Sequence, residues 1–140
     1  MKKIVFVCLG NICRSPMAEF VMKSLTDQLK IESRATSSWE QGNPIHRGTQ
    51  AIFKKYAISY DRNKTSQQIS TADFADFDYV IGMDESNVRD LKRMAPEDFQ
   101  HKIYQFEEES VPDPWYTGDF DQTYDLVLAG CKKWLERLDG

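Results

Sequence analysis

The sequence predicts a three-layer α/β/α sandwich built on a four-stranded parallel sheet. Two observations lead there. The run Ile4-Val5-Phe6-Val7 is apolar at every position, as a strand covered on both faces must be, and similar short runs recur down the chain. Between them lie longer stretches with apolar residues at helical spacing, such as Met17, Phe20, Val21 and Leu25. Strand and helix alternating in this way build parallel sheets through right-handed crossovers, and such doubly wound sheets bind ligands at the carboxyl ends of their strands. A chain of 140 residues is long enough to bury a full core and is read as one domain, residues 1–140.

Lys3 to Val7 is the first strand. Ser15 and Pro16 supply cap and first-turn signals for a helix running to about Lys30, with Met17, Phe20, Val21, Leu25 and Leu29 on its apolar side. Glu32 to Ser38 is the only segment before Gly42 that can be the second strand a parallel sheet requires after that crossover. The stretch 39–44 is a loop by its Gly-Asn-Pro content, and a second helix follows from Pro44 to about Tyr56, burying Ile45, Ala51, Ile52 and Tyr56. His46 and His101 read as surface residues, and Ile58 to Ile69 as polar, irregular chain with no assigned role. A short helix over Ser70 to Phe77 precedes a third strand, Tyr79 to Met83. Asp84 then caps a helix through Met94, or serves as a buried partner of the loop described next. Lys102 to Phe106 is the fourth strand. Val127, Leu128, Cys131, Trp134, Leu135 and Leu138 form the core stripe of a final helix, with Cys131 as packing.

Composition narrows the function classes. The chain is 41% hydrophobic and 29% charged, with no low-complexity tract and no apolar run near the roughly 20 residues that span a bilayer. Its net charge of −4 argues against nucleic acid as a partner, because a binding face for phosphodiesters needs clustered cations. The apolar segment after Met1-Lys2-Lys3 is too short for a signal peptide, and three cysteines, an odd number, do not make a disulfide framework. The expectation is a cytoplasmic protein with no cofactor, no metal and no membrane insertion.

The chemistry concentrates where the first strand runs into the first helix, at Cys8-Leu9-Gly10-Asn11-Ile12-Cys13-Arg14-Ser15-Pro16. Five residues separate Cys8 from Arg14, and a loop that short can turn its backbone N–H groups of Leu9, Gly10, Asn11, Ile12 and Cys13 onto one point, where a tetrahedral dianion fits. Gly10 permits close approach or a positive φ, Asn11 tolerates the left-handed region, and the helix starting near Ser15 aims its positive end at the loop. Arg14 adds a planar fork for two phosphate oxygens. The same field favours a thiolate over a thiol, and the thiolate is the form that attacks phosphorus, with Ser15 placed to hydrogen-bond the sulfur. A cysteine at a strand end is otherwise a small buried hydrophobe. Cys13, in the same loop, is either packing or a partner that traps an oxidised Cys8 as a reversible disulfide. Trp39 and Glu40 sit on the 39–44 loop, where an aromatic is either a recognition wall or a cap on the core edge, and Glu40 can favour positive charge beside a substrate.

The nine residues from Cys8 to Pro16 resemble the phosphate loop of the low-molecular-weight protein tyrosine phosphatases. Val111-Pro112-Asp113-Pro114-Trp115-Tyr116 is similar to their general-acid loop, and Asp78 to Asn87 to their third strand and the turn after it. The resemblance spans essentially the whole chain and implies a flavodoxin/Rossmann-like sandwich. It implies Cys8, Arg14 and Asp113 as the catalytic residues, Leu9 to Cys13 and Ser15 as the phosphate site, and Trp39, Glu40, Trp115 and Tyr116 around the substrate ring. Phosphotyrosine-containing proteins are the implied substrates, with inorganic phosphate and other oxyanions as inhibitors. The family usually carries a His and an Arg where this chain has Lys64-Thr65-Ser66-Gln67-Gln68.

Rivals on the same residues differ in chemistry. Arsenate reduction needs two further, closely placed thiols, which Cys131 alone does not supply. A phosphocarrier has no evident use for Arg14 and Asp113, and a silent phosphotyrosine-binding module should have lost Cys8 or Asp113. Phosphoarginine hydrolysis on this fold would better suit a polar residue in place of Ile12.

Overall fold

The computed structural model describes residues 1–139 and has four strands in the order β2-β1-β3-β4, all parallel. They are β1 (Lys2–Cys8), β2 (Leu29–Ala35), β3 (Tyr79–Gly82) and β4 (Ile103–Gln105). Central β1 explains its own sequence. Ile4, Phe6 and Cys8 face one core together with Met17, Phe53, Ile81, Val127 and Trp134, whereas Val5 and Val7 face a second with Phe74, Phe77, Val80 and Leu91. Each fully buried side chain of this size contributes about 1.5–3 kcal/mol, so a central strand has no polar position to spare.

The helices divide between those two faces. On the first lie α1 (Arg14–Leu25), α2 (Arg47–Lys55) and α6 (Phe120–Asp139); on the second lie α3 (Thr71–Asp76) and α4 (Glu85–Met94). A 3-10 turn, Glu97–Lys102, leads into β4, and a one-turn helix, α5 (Pro114–Thr117), precedes α6. Of the expected final stripe Val127, Cys131, Trp134 and Leu138 are buried, Leu128 and Leu135 are half-buried against them, and the Trp134 indole N–H donates to the Phe106 carbonyl at 2.7 Å. Among the described residues no helix is long and apolar enough to cross a membrane.

Four expectations need correction. The first helix stops at Leu25 rather than near Lys30, because Thr26 is extended and Leu29 pairs with Lys2 to open β2. A seven-residue register against β1 outweighs the local helical period, and β2 accordingly ends at Ala35 rather than Ser38. The second helix begins at Arg47, not Pro44, and buries Thr49, Ile52 and Phe53, while Ala51 and Tyr56 are exposed. His46 is no plain surface residue: it is half-buried and caps α2, its Nδ1 accepting from the Gly48 N–H at 2.9 Å. Finally, the 58–69 segment is tied down by bridges from Gln68 to Ala35 and from Thr65 to Pro44, and it supports the loop at Cys8.

Candidate active site

The loop from Cys8 to Arg14 is shaped from outside. The Cys8 carbonyl accepts from the Thr36 N–H at 3.0 Å, and the Leu9 carbonyl from the Ser37 hydroxyl at 2.8 Å. The Gly10 carbonyl accepts from the Ser66 hydroxyl at 2.7 Å, the Ile12 carbonyl from the His46 N–H at 2.8 Å, and the Cys13 carbonyl from the Thr49 hydroxyl at 3.2 Å. In a trans peptide the N–H points opposite to the C=O that precedes it. Carbonyls drawn outward at five positions therefore turn the N–H groups of Leu9, Gly10, Asn11, Cys13 and Arg14 inward, which makes an anion nest.

Conformation and packing follow the same plan. The positive φ falls on Asn11, at 54°, and not on Gly10. Gly10 is small for another reason, since a Cβ there would lie 3.3 Å from Cγ of Glu40. The Asn11 amide turns into the protein, donating to Ser15 Oγ at 2.8 Å and Ser33 Oγ at 3.0 Å and accepting from the Gln67 N–H at 3.1 Å. These bonds hold the left-handed turn in place, so the side chain scaffolds the loop while its backbone N–H faces inward.

Cys8 ends β1 and is 3% exposed. Its sulfur accepts from the N–H groups of Asn11 at 3.3 Å and Ser15 at 3.4 Å and lies 3.1 Å from the Ser15 hydroxyl. Ser15 is a residue of α1 rather than its cap; Cys13 occupies the cap position without a side-chain bond, which leaves the first N–H groups of the helix to the loop.

Arg14 is buried, and Nη1 donates to Asp84 Oδ2 at 2.6 Å and to the Val111 carbonyl at 3.0 Å, while Nη2 is 3.4 Å from Asp113 Oδ2. Its Nε has no partner among the described residues. Burial opposes the charge, yet negative charge on Cys8 and the Asp84 and Asp113 carboxylates more than offset it, and the guanidinium is held above its ordinary pKa. Asp84 does both things the sequence left open: Oδ2 takes Arg14, and Oδ1 caps α4 through the Asn87 N–H at 2.7 Å.

Asp113 caps α5, its Oδ1 accepting from the Trp115 N–H at 3.0 Å, with Pro114 at the first helical position. A cleft of about 230 Å³ is lined by the loop from Cys8 to Arg14 together with Trp39, Glu40, Asp113, Trp115 and Tyr116. Trp39 and Tyr116, each 78% exposed, stand at its mouth. Glu40 is held by the Asn43 amide at 2.6 Å.

A family model described as low molecular weight phosphotyrosine protein phosphatase matches residues 3–140. The chain belongs to that family. Its fold is similar to the low molecular weight protein tyrosine phosphatase SP-PTP of Streptococcus pyogenes, with a TM-score of 0.97 and 62% identity over 99% of this chain and 93% of that one. The low molecular weight protein-tyrosine-phosphatase PtpA of Staphylococcus aureus is 45% identical over 94% of this chain and 90% of its own. DARP, a Drosophila arginine phosphatase, is 31% identical with a TM-score of 0.89, covering 100% of this chain and 99% of that one.

Within this family member, sequence reasoning missed the supports of the loop. Ser33, Ser37, Thr49 and Ser66 each give a hydroxyl to it or to Asn11, directly. Lys64 donates to the Ser33 carbonyl at 2.9 Å and lies 3.8 Å from the buried Glu19, which accepts from the Ser33 hydroxyl at 2.6 Å. Burial lowers the Lys64 pKa, with Glu19 opposing that shift. Nothing local marks these small polar residues, because only the fold brings them to the loop.

Proposed function

We propose that this phosphatase hydrolyses phosphotyrosine in proteins through a phosphocysteine on Cys8. The observation that supports the reading best is the sulfur itself, which takes two backbone N–H groups in a cleft shared with Arg14 and Asp113. Sulfur attacks phosphorus in line, the P–O bond to the tyrosyl oxygen breaks, and Asp113 gives its proton to the departing phenolate. Water then attacks the phosphocysteine, Asp113 takes the water's proton, and the S–P bond breaks to release phosphate. Arg14, through Nε and Nη2, and the inward N–H groups hold the equatorial oxygens as charge develops. Inorganic phosphate and other oxyanions compete for the same nest.

The cleft supports an aryl substrate. Trp39, Trp115 and Tyr116 line it together with the apolar Ile12, whose side chain offers no hydrogen bond to the guanidinium of phosphoarginine. Glu40 at the rim favours positive charge beside the phosphotyrosine. A thiolate nucleophile requires a reducing compartment, for which the cytoplasm is the proposed location.

The test is turnover of phosphotyrosine, phosphoserine and phosphoarginine peptides side by side, with arsenate reduction as control. Acid quench of radiolabelled phosphotyrosine peptide should trap label on Cys8, and Cys8→Ser should fold normally, trap nothing and lose turnover. Substantial turnover by Cys8→Ser would end the covalent mechanism, and faster phosphoarginine than phosphotyrosine hydrolysis would reassign the substrate.

A further inference from the structure

The imidazole of His46 lies at the meeting point of three elements. It stacks on Phe120, the first residue of α6, with centroids 5.2 Å apart and planes at 16°, and it meets Trp115 of α5 edge to face at 5.6 Å and 78°. Its own Nδ1 is engaged by the Gly48 N–H, so the neutral ring carries its proton on Nε2 and its orientation is pinned to the start of α2. Gly48 makes room for the stack: a Cβ there would fall 2.4 Å from Cζ of Phe120. The His46 backbone N–H meanwhile holds the Ile12 carbonyl of the phosphate loop.

Trp115 belongs to the same helical turn as Asp113 and donates its N–H to that carboxylate. That turn is only four residues long; Pro114 is buried and Asp113 Oδ2 lies 3.4 Å from Arg14, whereas Trp115 is 56% exposed and meets the body of the protein through the His46 ring. A ring packed on Trp115 therefore joins Arg14 and Pro114 in setting where the Asp113 carboxylate points relative to the phosphate loop that the same histidine holds by its backbone. We propose that His46 is a positioning residue for the general acid, acting through its ring contacts with Trp115 and Phe120. The inference rests on Asp113 being that acid. Misplacing an acid by a fraction of its reach loses part of what it supplies, and that loss is selective for leaving groups that need a proton.

Two variants separate the ring from the cap. His46→Asn keeps an acceptor for the Gly48 N–H and removes the aromatic contacts, whereas His46→Phe keeps the contacts and removes the acceptor. The measurement is kcat/KM across aryl phosphates of graded phenol pKa, with Tm and the inhibition constant of inorganic phosphate for each protein, and with Asp113→Ala in the same series. His46→Asn should lose about tenfold or more on phosphotyrosine and little on an activated ester, steepening the leaving-group line toward that of Asp113→Ala, with phosphate inhibition unchanged. His46→Phe should melt earlier yet keep the wild-type slope. Wild-type slopes in both variants, or an equal steepening in both, would overturn the proposal. An Asp113→Ala line parallel to wild type would instead remove the acid on which it rests.

Discussion

Arg14 Nη1 and Asp84 Oδ2 lie 2.6 Å apart although 70 residues separate them in the chain. The pair joins the end of the phosphate loop to the start of α4, and both side chains are shielded, at 3% and 20% exposure. Asp84 cannot be counted once, because its other oxygen caps the helix that follows β3.

Substitution at Asp84 should divide those two duties. Asp84→Asn retains a carbonyl oxygen for the Asn87 N–H but turns an NH₂ group or a neutral oxygen toward Arg14. Asp84→Ala loses both partners. Both variants should lose kcat/KM, by up to about 10²-fold as the guanidinium shifts, and alanine should cost about 1 kcal/mol more stability than asparagine for the lost cap. Steady-state kinetics and urea unfolding measure the two effects. Unchanged kcat/KM in Asp84→Asn would mean that Val111 and Asp113 suffice to hold Arg14.

Asp113 should matter in proportion to how poor the leaving group is. General acid catalysis is worth about 10²–10⁴ in rate, or about 3–5 kcal/mol. Asp113→Ala should therefore slow phosphotyrosine by a factor in that range while an activated aryl ester loses much less, read from kcat/KM against phenol pKa. Equal losses across the series would mean that Asp113 gives no proton to the leaving oxygen.

The three thiols should react unequally. Burial pushes the Cys13 and Cys131 thiols up, and for Cys13 negative charge on Cys8 adds to it, so neither competes for an alkylating agent with Cys8, whose sulfur takes two backbone N–H groups. Iodoacetamide at neutral pH should alkylate Cys8 alone, and phosphate should slow it. Mild peroxide should oxidise Cys8 to a sulfenic acid that condenses with the Cys13 thiol, releasing water and forming a disulfide that thiol reductant reopens. Peptide mapping and recovered activity check this, and equal recovery in wild type and Cys13→Ser would leave Cys13 as packing.

Gly130 should resist the usual gain from alanine in a helix. Alanine is favoured over glycine by about 1 kcal/mol at an interior helical position. Here a Cβ would stand 2.3 Å from Cε2 of Phe106, which is 2% exposed and edge-packed on Phe6. Overpacking of this kind costs about 1–3 kcal/mol or more, so Gly130→Ala should be net destabilising, by about 1–2 kcal/mol in urea unfolding. A stabilised variant would mean that the Phe106 ring gives way to the added methyl.

Sequence alone determined the layers and the place of the candidate site. Alternating core assignment along Ile4-Val5-Phe6-Val7 follows from a run with no polar residue, and the stripe at Val127, Cys131, Trp134 and Leu138 from its helical period. The loop from Cys8 to Arg14 was legible because glycine, asparagine, arginine and serine at short range each have a local job there. What depends on distant partners was not legible. The first helix yields to β2 at Leu29 because Lys2, on the central strand β1, offers a partner, which no helical propensity records. Positive φ went to Asn11 and not to Gly10 because Ser33 and Gln67 hold the asparagine from other elements, while Glu40 covers the glycine. His46 looked like a surface residue until α5 and α6 brought Trp115 and Phe120 against it. Backbone period and loop chemistry are local and survive in one dimension; the direction of a carbonyl, the second use of Asp84 and the clamp on Trp115 exist only once the sheet has brought separated residues together.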